Sequence, residues 1–163
     1  MNIIKASPSD LVEVLYLLRV CVLEMNSKGW FHWDLHNPLV KQDLENDRVF
    51  VYIENDITIG TITLNCDEMP EYNSISWSNT SGKSLVACRL LVHPCWRKKG
   101  IAKELLAFAE KYARENGFNS LRVDVFSENN EALGLCNQLN YKQQGEIQHQ
   151  YQKLPYYCFE KTV

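Results

Sequence analysis

The chain has 163 residues, 45% of them hydrophobic and 23% charged, with a formal net charge of -3. That length suits a single domain spanning 1–163, burying about two thirds of its unfolded surface without metal or disulfide support. The slight acidic balance argues against a general nucleic-acid binder, which needs a broad basic face. No apolar stretch is long enough to cross a bilayer, and Met1 to Lys5 reaches Pro8 too soon for a signal peptide, so a soluble, cytoplasmic protein is expected. The six cysteines, Cys21, Cys66, Cys88, Cys95, Cys136 and Cys158, have no C-x-x-C spacing and sit mostly in apolar runs, which favours reduced core thiols.

In chain order, Asn2 to Lys5 reads as a short strand, followed by a helix from Ser7 with Pro8 at its first position and Leu11, Leu15, Leu18, Val22 and Met25 as its buried stripe. Asn26 to Gly29 end it. The aromatic stretch Gly29 to His36 follows, and its Trp30 and Trp33 serve equally well as a wall for a bound molecule or as satellite core. His32 and His36 share a helical spacing, but no third metal ligand accompanies them, so no metal site is expected. A second helix is predicted from Pro38 to Asn46. Val49 to Ile53 and Ile57 to Leu64 form a hairpin around Asn55-Asp56, marked by β-branched alternation. Residues 65 to 83 are polar and irregular, a long loop with a short strand near Trp77, and loops of this length are often functional.

Ser84 to Val92 is a near-continuous apolar run suited to a central strand covered on both faces, and Pro94 ends it. Next comes a helix with Ile101, Leu105, Phe108, Ala109, Tyr112 and Ala113 on its buried face and Gly117 as its stop. Its start carries the wrong charges. A helix N-terminus has unpaired N–H groups and partial positive charge, so it ordinarily takes a short polar cap and acids in its first turn. Here neither is found, and Arg97, Lys98, Lys99 and Lys103 add further cations around Gly100. An external anion, most naturally phosphate, would supply the missing charge. Leu121, Val123 and Val125 give another strand. Asn129 opens a helix with Ala132, Leu135, Cys136 and Leu139 buried and Asn140 as its left-handed end, before strands at Tyr141 to Gln148 and Tyr156 to Thr162. Strands flanked by helices on this schedule imply an α/β, three-layer α-β-α domain with a mixed sheet.

Two blocks resemble the GNAT superfamily of acetyl-coenzyme A (acetyl-CoA) dependent N-acetyltransferases. The first is Arg97-Lys98-Lys99-Gly100-Ile101-Ala102, matching Arg/Gln-x-x-Gly-x-Gly/Ala at a helix start directly after an apolar strand. The second is Asn129, Ala132, Leu135-Cys136 and Asn140-Tyr141 on and after the following helix, where the family has Asn, Ala, Leu-Tyr and Gly-Phe. The resemblance implies a centrally splayed sheet, with acetyl-CoA as co-substrate. It implies that the amides from Lys98 through Gly100, Ile101 and Ala102 to Lys103, with Arg97 nearby, hold the pyrophosphate. It further implies that Leu91, Val92 and His93 pair with the pantetheine arm, that the amide following Val92 polarises the thioester carbonyl, and that Asn129 bonds the arm. An amine acceptor would attack directly in a ternary complex, without an acyl-enzyme.

The family's acid, a Tyr, is replaced by Cys136. Cys136 itself, a nearby Tyr141 or Tyr151, a water, or departure of an unprotonated thiolate would each serve, with a substitute favoured. Base candidates are Asp67, Glu68, Glu71 and Asp124, and for each a solvated surface charge is the plainer role. His93 is better placed to offer its backbone than its ring. Arg89, in the central strand, is expected to pair with a carboxylate or reach the acceptor. A P-loop NTPase is a poor match, because the stretch Arg97 to Ala102 lacks the Ser/Thr that Gly-x-x-x-x-Gly-Lys-Ser/Thr places after its Lys. A non-catalytic CoA sensor or interaction module is the competing class, since the loss of the Tyr at Cys136 is what a decayed enzyme would show. The acceptor is expected to be a small-molecule amine or a peptide, with no nucleic-acid or membrane partner, and a homodimer stays open.

Overall fold

The computed structural model describes residues 2–30, 37–65, 67–148 and 153–163. The chain divides into two compact units, Met1–Leu64 with Arg89–Phe108 and Asn65–Cys88 with Ala109–Val163. Strand β4 (Ser84–Val92) and helix α3 (Ile101–Glu115) each contribute to both. In hydrogen-bonding order the strands run β1-β2-β3-β4 through the first unit and β4-β5-β7-β6 through the second, a mixed sheet of seven strands.

In the first unit, β1 (Ile3–Lys5) pairs antiparallel with β2 (Val49–Glu54), and β2 with β3 (Ile57–Leu64). Asn55 and Asp56 both have positive φ, 48° and 60°, as a tight two-residue hairpin turn requires. Alternation along β2 then sorts the layers. Val49, Val51 and Ile53 join α1 (Leu11–Ser27) and α2 (Asn37–Glu45) in one core with Val14, Leu17, Leu18, Cys21, Met25, Val40 and Leu44. Phe50, on the opposite face, meets Phe108 of α3 with ring centroids 4.9 Å apart. At Gly60 an added Cβ would come within 3.1 Å of Ile101 and 3.2 Å of Leu105, so α3 rests directly on the backbone of β3. A three-layer α-β-α arrangement is thus complete within this unit. The predicted stripe of α1 is shifted: Val14, Leu17 and Cys21 are buried with Leu18, Val22 and Met25, while Leu11 and Leu15 are only partly covered.

In the second unit, the start of β4 pairs parallel with β5 (Ser120–Phe126) over Ser84–Val86, and β5 continues antiparallel to β7 (Tyr156–Thr162), which pairs with β6 (Lys142–Ile147). Helix α4 (Asn130–Gln138) ends as predicted, with Asn140 at φ 61°. The expected strand near Trp77 is a 3₁₀ turn at Pro70–Ser74 instead. One face of β5 and β7 is polar: Ser120, Arg122 and Asp124 lie opposite Thr162, Glu160 and Cys158. The 65–83 loop is fastened to that face. Arg122 Nε donates to Glu160 at 2.9 Å, its Nη1 to Glu68 at 2.7 Å and its Nη2 to the Asn79 carbonyl at 3.1 Å, with the guanidinium 4.2 Å from the Trp77 ring. Glu160 is 4% exposed and also accepts from Ser120 Oγ and the Asn79 amide, so the buried charge is fully bonded. Cys21, Cys95, Cys136 and Cys158 are free thiols, but Cys88 is disulfide-bonded, which corrects the expectation of reduced thiols at that position.

Candidate functional site

The junction of β4 and α3 is built by a series of local constraints. Arg89 interrupts the pleat of β4 with φ 49°, a left-handed conformation unusual for a non-glycine residue within a strand. Its guanidinium is held by Asp43 of α2, which is 7% exposed and also faces Arg48. The carboxylate partner expected for Arg89 is therefore present. Beyond it the peptide between Val92 and His93 is pinned on both sides. The His93 amide donates to the Ile59 carbonyl of β3 at 2.8 Å, while the Val92 carbonyl accepts from Arg97 Nε at 3.1 Å and from the Cys21 thiol at 3.5 Å. The amide following Val92 is thus committed to the sheet and not available for a thioester carbonyl.

A 3₁₀ turn at Pro94–Trp96 follows, stabilised by the Cys95 amide on His93 Nδ1 at 3.3 Å. Lys98 and Gly100 then take φ 61° and 89°, and the Glu104 amide bonds the Gly100 carbonyl at 3.0 Å, the first turn of α3. The amides of Ile101, Ala102 and Lys103 precede any intrahelical acceptor, as the first amides of every helix do. An added Cβ at Gly100 meets no atom within 4 Å, so the backbone at this glycine is uncrowded. Lys98, Lys99 and Lys103 are exposed around it, Lys99 stacking 4.3 Å from the Trp96 ring. Ile101 is buried at 5% and roots the turn in the core. Donors and positive charge therefore coincide beside an uncrowded glycine.

Two charges differ from expectation. Glu104 does fall in the first turn of α3, contrary to the acid-free start expected from the sequence, and it adds to the upward shift that burial gives the Tyr52 hydroxyl. Arg97 does not point into the cradle: Nη1 donates to Glu24 Oε2 of α1 at 2.8 Å. Burial would raise the Glu24 carboxyl, but hydrogen bonds and charge from Lys28 and Arg97 overcome it and hold the carboxyl below its ordinary range.

The remaining candidates lie in the second unit or near α1. Asn129 Oδ1 accepts from the Ala132 amide at 3.2 Å, capping α4. Cys136 is 3% exposed, and desolvation pushes its thiol up to about 12, so it holds its proton more tightly than an ordinary thiol. The Tyr141 hydroxyl, also raised by burial and by Glu110, donates to Glu110 at 3.0 Å, where Lys161 adds a bond at 2.8 Å. Glu71 is half-buried in the Pro70–Ser74 turn. Asp67 is exposed, Glu68 is paired with Arg122, and Asp124 accepts from the buried Tyr72 hydroxyl at 2.7 Å. Trp30 is half-buried against the α1 core with Lys28 over its ring, which accords with its satellite-core alternative. Trp33, Tyr151, His32 and His36 lie outside the described residues. Tyr72, Arg122 and Glu160 were missed by sequence reasoning, although Arg122 and Asp124 at alternate positions of an apolar strand are a legible sign of a polar face.

A family model described as "Acetyltransferase (GNAT) family" matches residues 17–141. The chain belongs to the GNAT acetyltransferase family. Its matched span runs from α1 through the cradle to the end of α4, covering both signature blocks. A GNAT acetyltransferase from Streptococcus agalactiae superposes with a TM-score of 0.83 at 17% identity, over 99% of this chain and 94% of that one. The PaiA N-acetyltransferase of Thermoplasma acidophilum, solved in complex with coenzyme A, gives 0.73 at 16% identity over 99% and 98% of the two chains. YncA of Salmonella typhimurium, solved with its cofactor acetyl-CoA, gives 0.73 at 16% identity over 99% and 93%. No curated protein matches the GNAT chain. At these identities the structural matches establish the fold.

Proposed function

We propose that the chain transfers an acetyl group from acetyl-CoA to a primary amine of a small molecule or peptide, in the cytoplasm. The observation that carries this is the lysine-rimmed row of amides at the start of α3 beside the uncrowded Gly100. Family membership and neighbours solved with coenzyme A or acetyl-CoA support it. In this reading Gly100 to Lys103 hold the diphosphate, and Leu91 and the Val92 amide receive the pantetheine end. The Val92 amide takes the carbonyl-polarising role because that of His93 is spent on Ile59. Asn129 retains its side-chain N–H₂ for the arm. The amine lone pair forms the C–N bond as the C–S bond breaks, and no acyl-enzyme intervenes.

Proton handling departs from the family pattern. With Cys136 buried and raised and Tyr141 bonded to Glu110, the proton for the leaving sulfur is assigned to the attacking nitrogen itself. Glu71 is proposed as the base that first deprotonates the ammonium, because Glu68 and Asp124 already serve Arg122 and Tyr72. Burial of the thiol where the family has its Tyr favours a second reading, a CoA-binding sensor. Titration with acetyl-CoA followed by thiol release over a panel of amines separates the two. Binding with turnover on at least one amine supports the enzyme, binding with none supports the sensor, and absence of binding refutes both.

A further inference from the structure

Arg97 opens the motif at the cradle, yet its side chain turns back from it. Nη1 reaches Glu24 on α1 at 2.8 Å, and Nε reaches the Val92 carbonyl at 3.1 Å. That carbonyl belongs to the peptide whose amide is fixed to Ile59, and it also accepts from Cys21, three residues before Glu24 on the same helix. Glu24 is in turn bonded by Lys28 at 2.6 Å. The side chain therefore joins three elements of the first unit: α1, the end of β4, and the turn leading into α3.

We propose that Arg97 is a positioning residue acting through Glu24. The pair sets the angle at which β4 delivers the chain into the cradle turn, and Glu24, a carboxylate, thereby favours binding of a polyanion. This rests on the assignment of the cradle to acetyl-CoA, and it opposes the simple electrostatic expectation. A guanidinium that met phosphate directly would act as a charge, and a carboxylate beside it would weaken binding. A strut acts by geometry. Lysine cannot replace it, because one ammonium on a flexible stem cannot span both Glu24 and the Val92 carbonyl. Glutamine can replace Glu24, because its amide oxygen still accepts from Nη1.

The test combines titration of acetyl-CoA into Glu24→Ala, Glu24→Gln, Arg97→Ala, Arg97→Lys and the double alanine variant with amide hydrogen exchange over residues 92–97 of the unliganded proteins. Expected are losses of roughly five- to tenfold in affinity for both alanine variants and for Arg97→Lys, since the pair is partly exposed. Glu24→Gln should bind near the unaltered level, the double variant no worse than either single one, and the salt dependence should stay unchanged. Exchange near the Val92 carbonyl should accelerate in every weakened variant. Tighter binding by Glu24→Ala, full affinity in Arg97→Lys, or unchanged exchange in both alanine variants would overturn the proposal. If the unaltered protein does not bind acetyl-CoA, the cradle assignment fails, while the exchange data still decide whether Arg97 is a strut.

Discussion

Gly100 carries two demands that no other side chain meets together. Its φ of 89° lies in the left-handed region, where an L-residue costs roughly 1–2 kcal/mol, and the space beside it is where an anion would approach the amides. Gly100→Val is expected to lower the melting temperature by a few degrees through that backbone strain, with no steric clash added, because the new Cβ meets no protein atom within 4 Å. Its acetyl-CoA affinity should fall at least tenfold by calorimetry. Cys136 shows where residue-level inference from the sequence ran out. The family pattern marks it as a missing acid, whereas the structure makes it a core thiol at 3% exposure, so Cys136→Tyr would overpack α4 and cost about 1–3 kcal/mol rather than restore a proton donor. Burial also sets a pH response. Desolvation raises Cys21 to about 11 and Cys136 and Cys158 to about 12, so in the folded state these thiols keep protons that the unfolded chain releases near 9. Their contribution is fully present below pH 9 and is lost as pH rises towards 12. Melting temperature should therefore fall steadily from pH 9 to pH 11, and a flat profile would contradict the burial of these groups.

At the scale of elements, periodicity made the helices and strands readable, because side-chain alternation and the 3.6-residue stripe are properties of neighbouring residues. The hairpin, the long strand before Pro94, α3 and the Asn140 end of α4 could all be located in this way. What could not be located were partners distant in sequence. Nothing near Arg97 points to Glu24, 73 residues away, and nothing in Val92-His93 shows that one amide belongs to Ile59. The 65–83 loop was legible as irregular but not as anchored, since its hold is the Arg122–Glu160 pair with Glu68, Trp77 and Asn79. Glu160→Ala leaves Arg122 buried without its principal counter-charge and should cost about 3–5 kcal/mol in denaturant unfolding. A loss below about 1 kcal/mol would mean that the pair does not anchor the loop.

For the whole molecule, family membership follows from the family model that matches residues 17–141, and the activity proposed for the chain rests on the cradle. The sequence indicated the cradle through an excess of positive charge at the wrong end of a helix. The structure adds that Arg97 is paired with Glu24, so in the proposed reading the anion is met chiefly by the backbone amides at the start of α3. The most direct measurement is an amide NMR titration of the full chain with coenzyme A. Saturable shifts concentrated at Gly100, Ile101, Ala102 and Lys103 are expected, with the Arg97 side-chain Nε–H keeping its bond to Val92. If those four amides stay still while coenzyme A binds elsewhere or not at all, the cradle is not a phosphate site and the proposed chemistry fails with it.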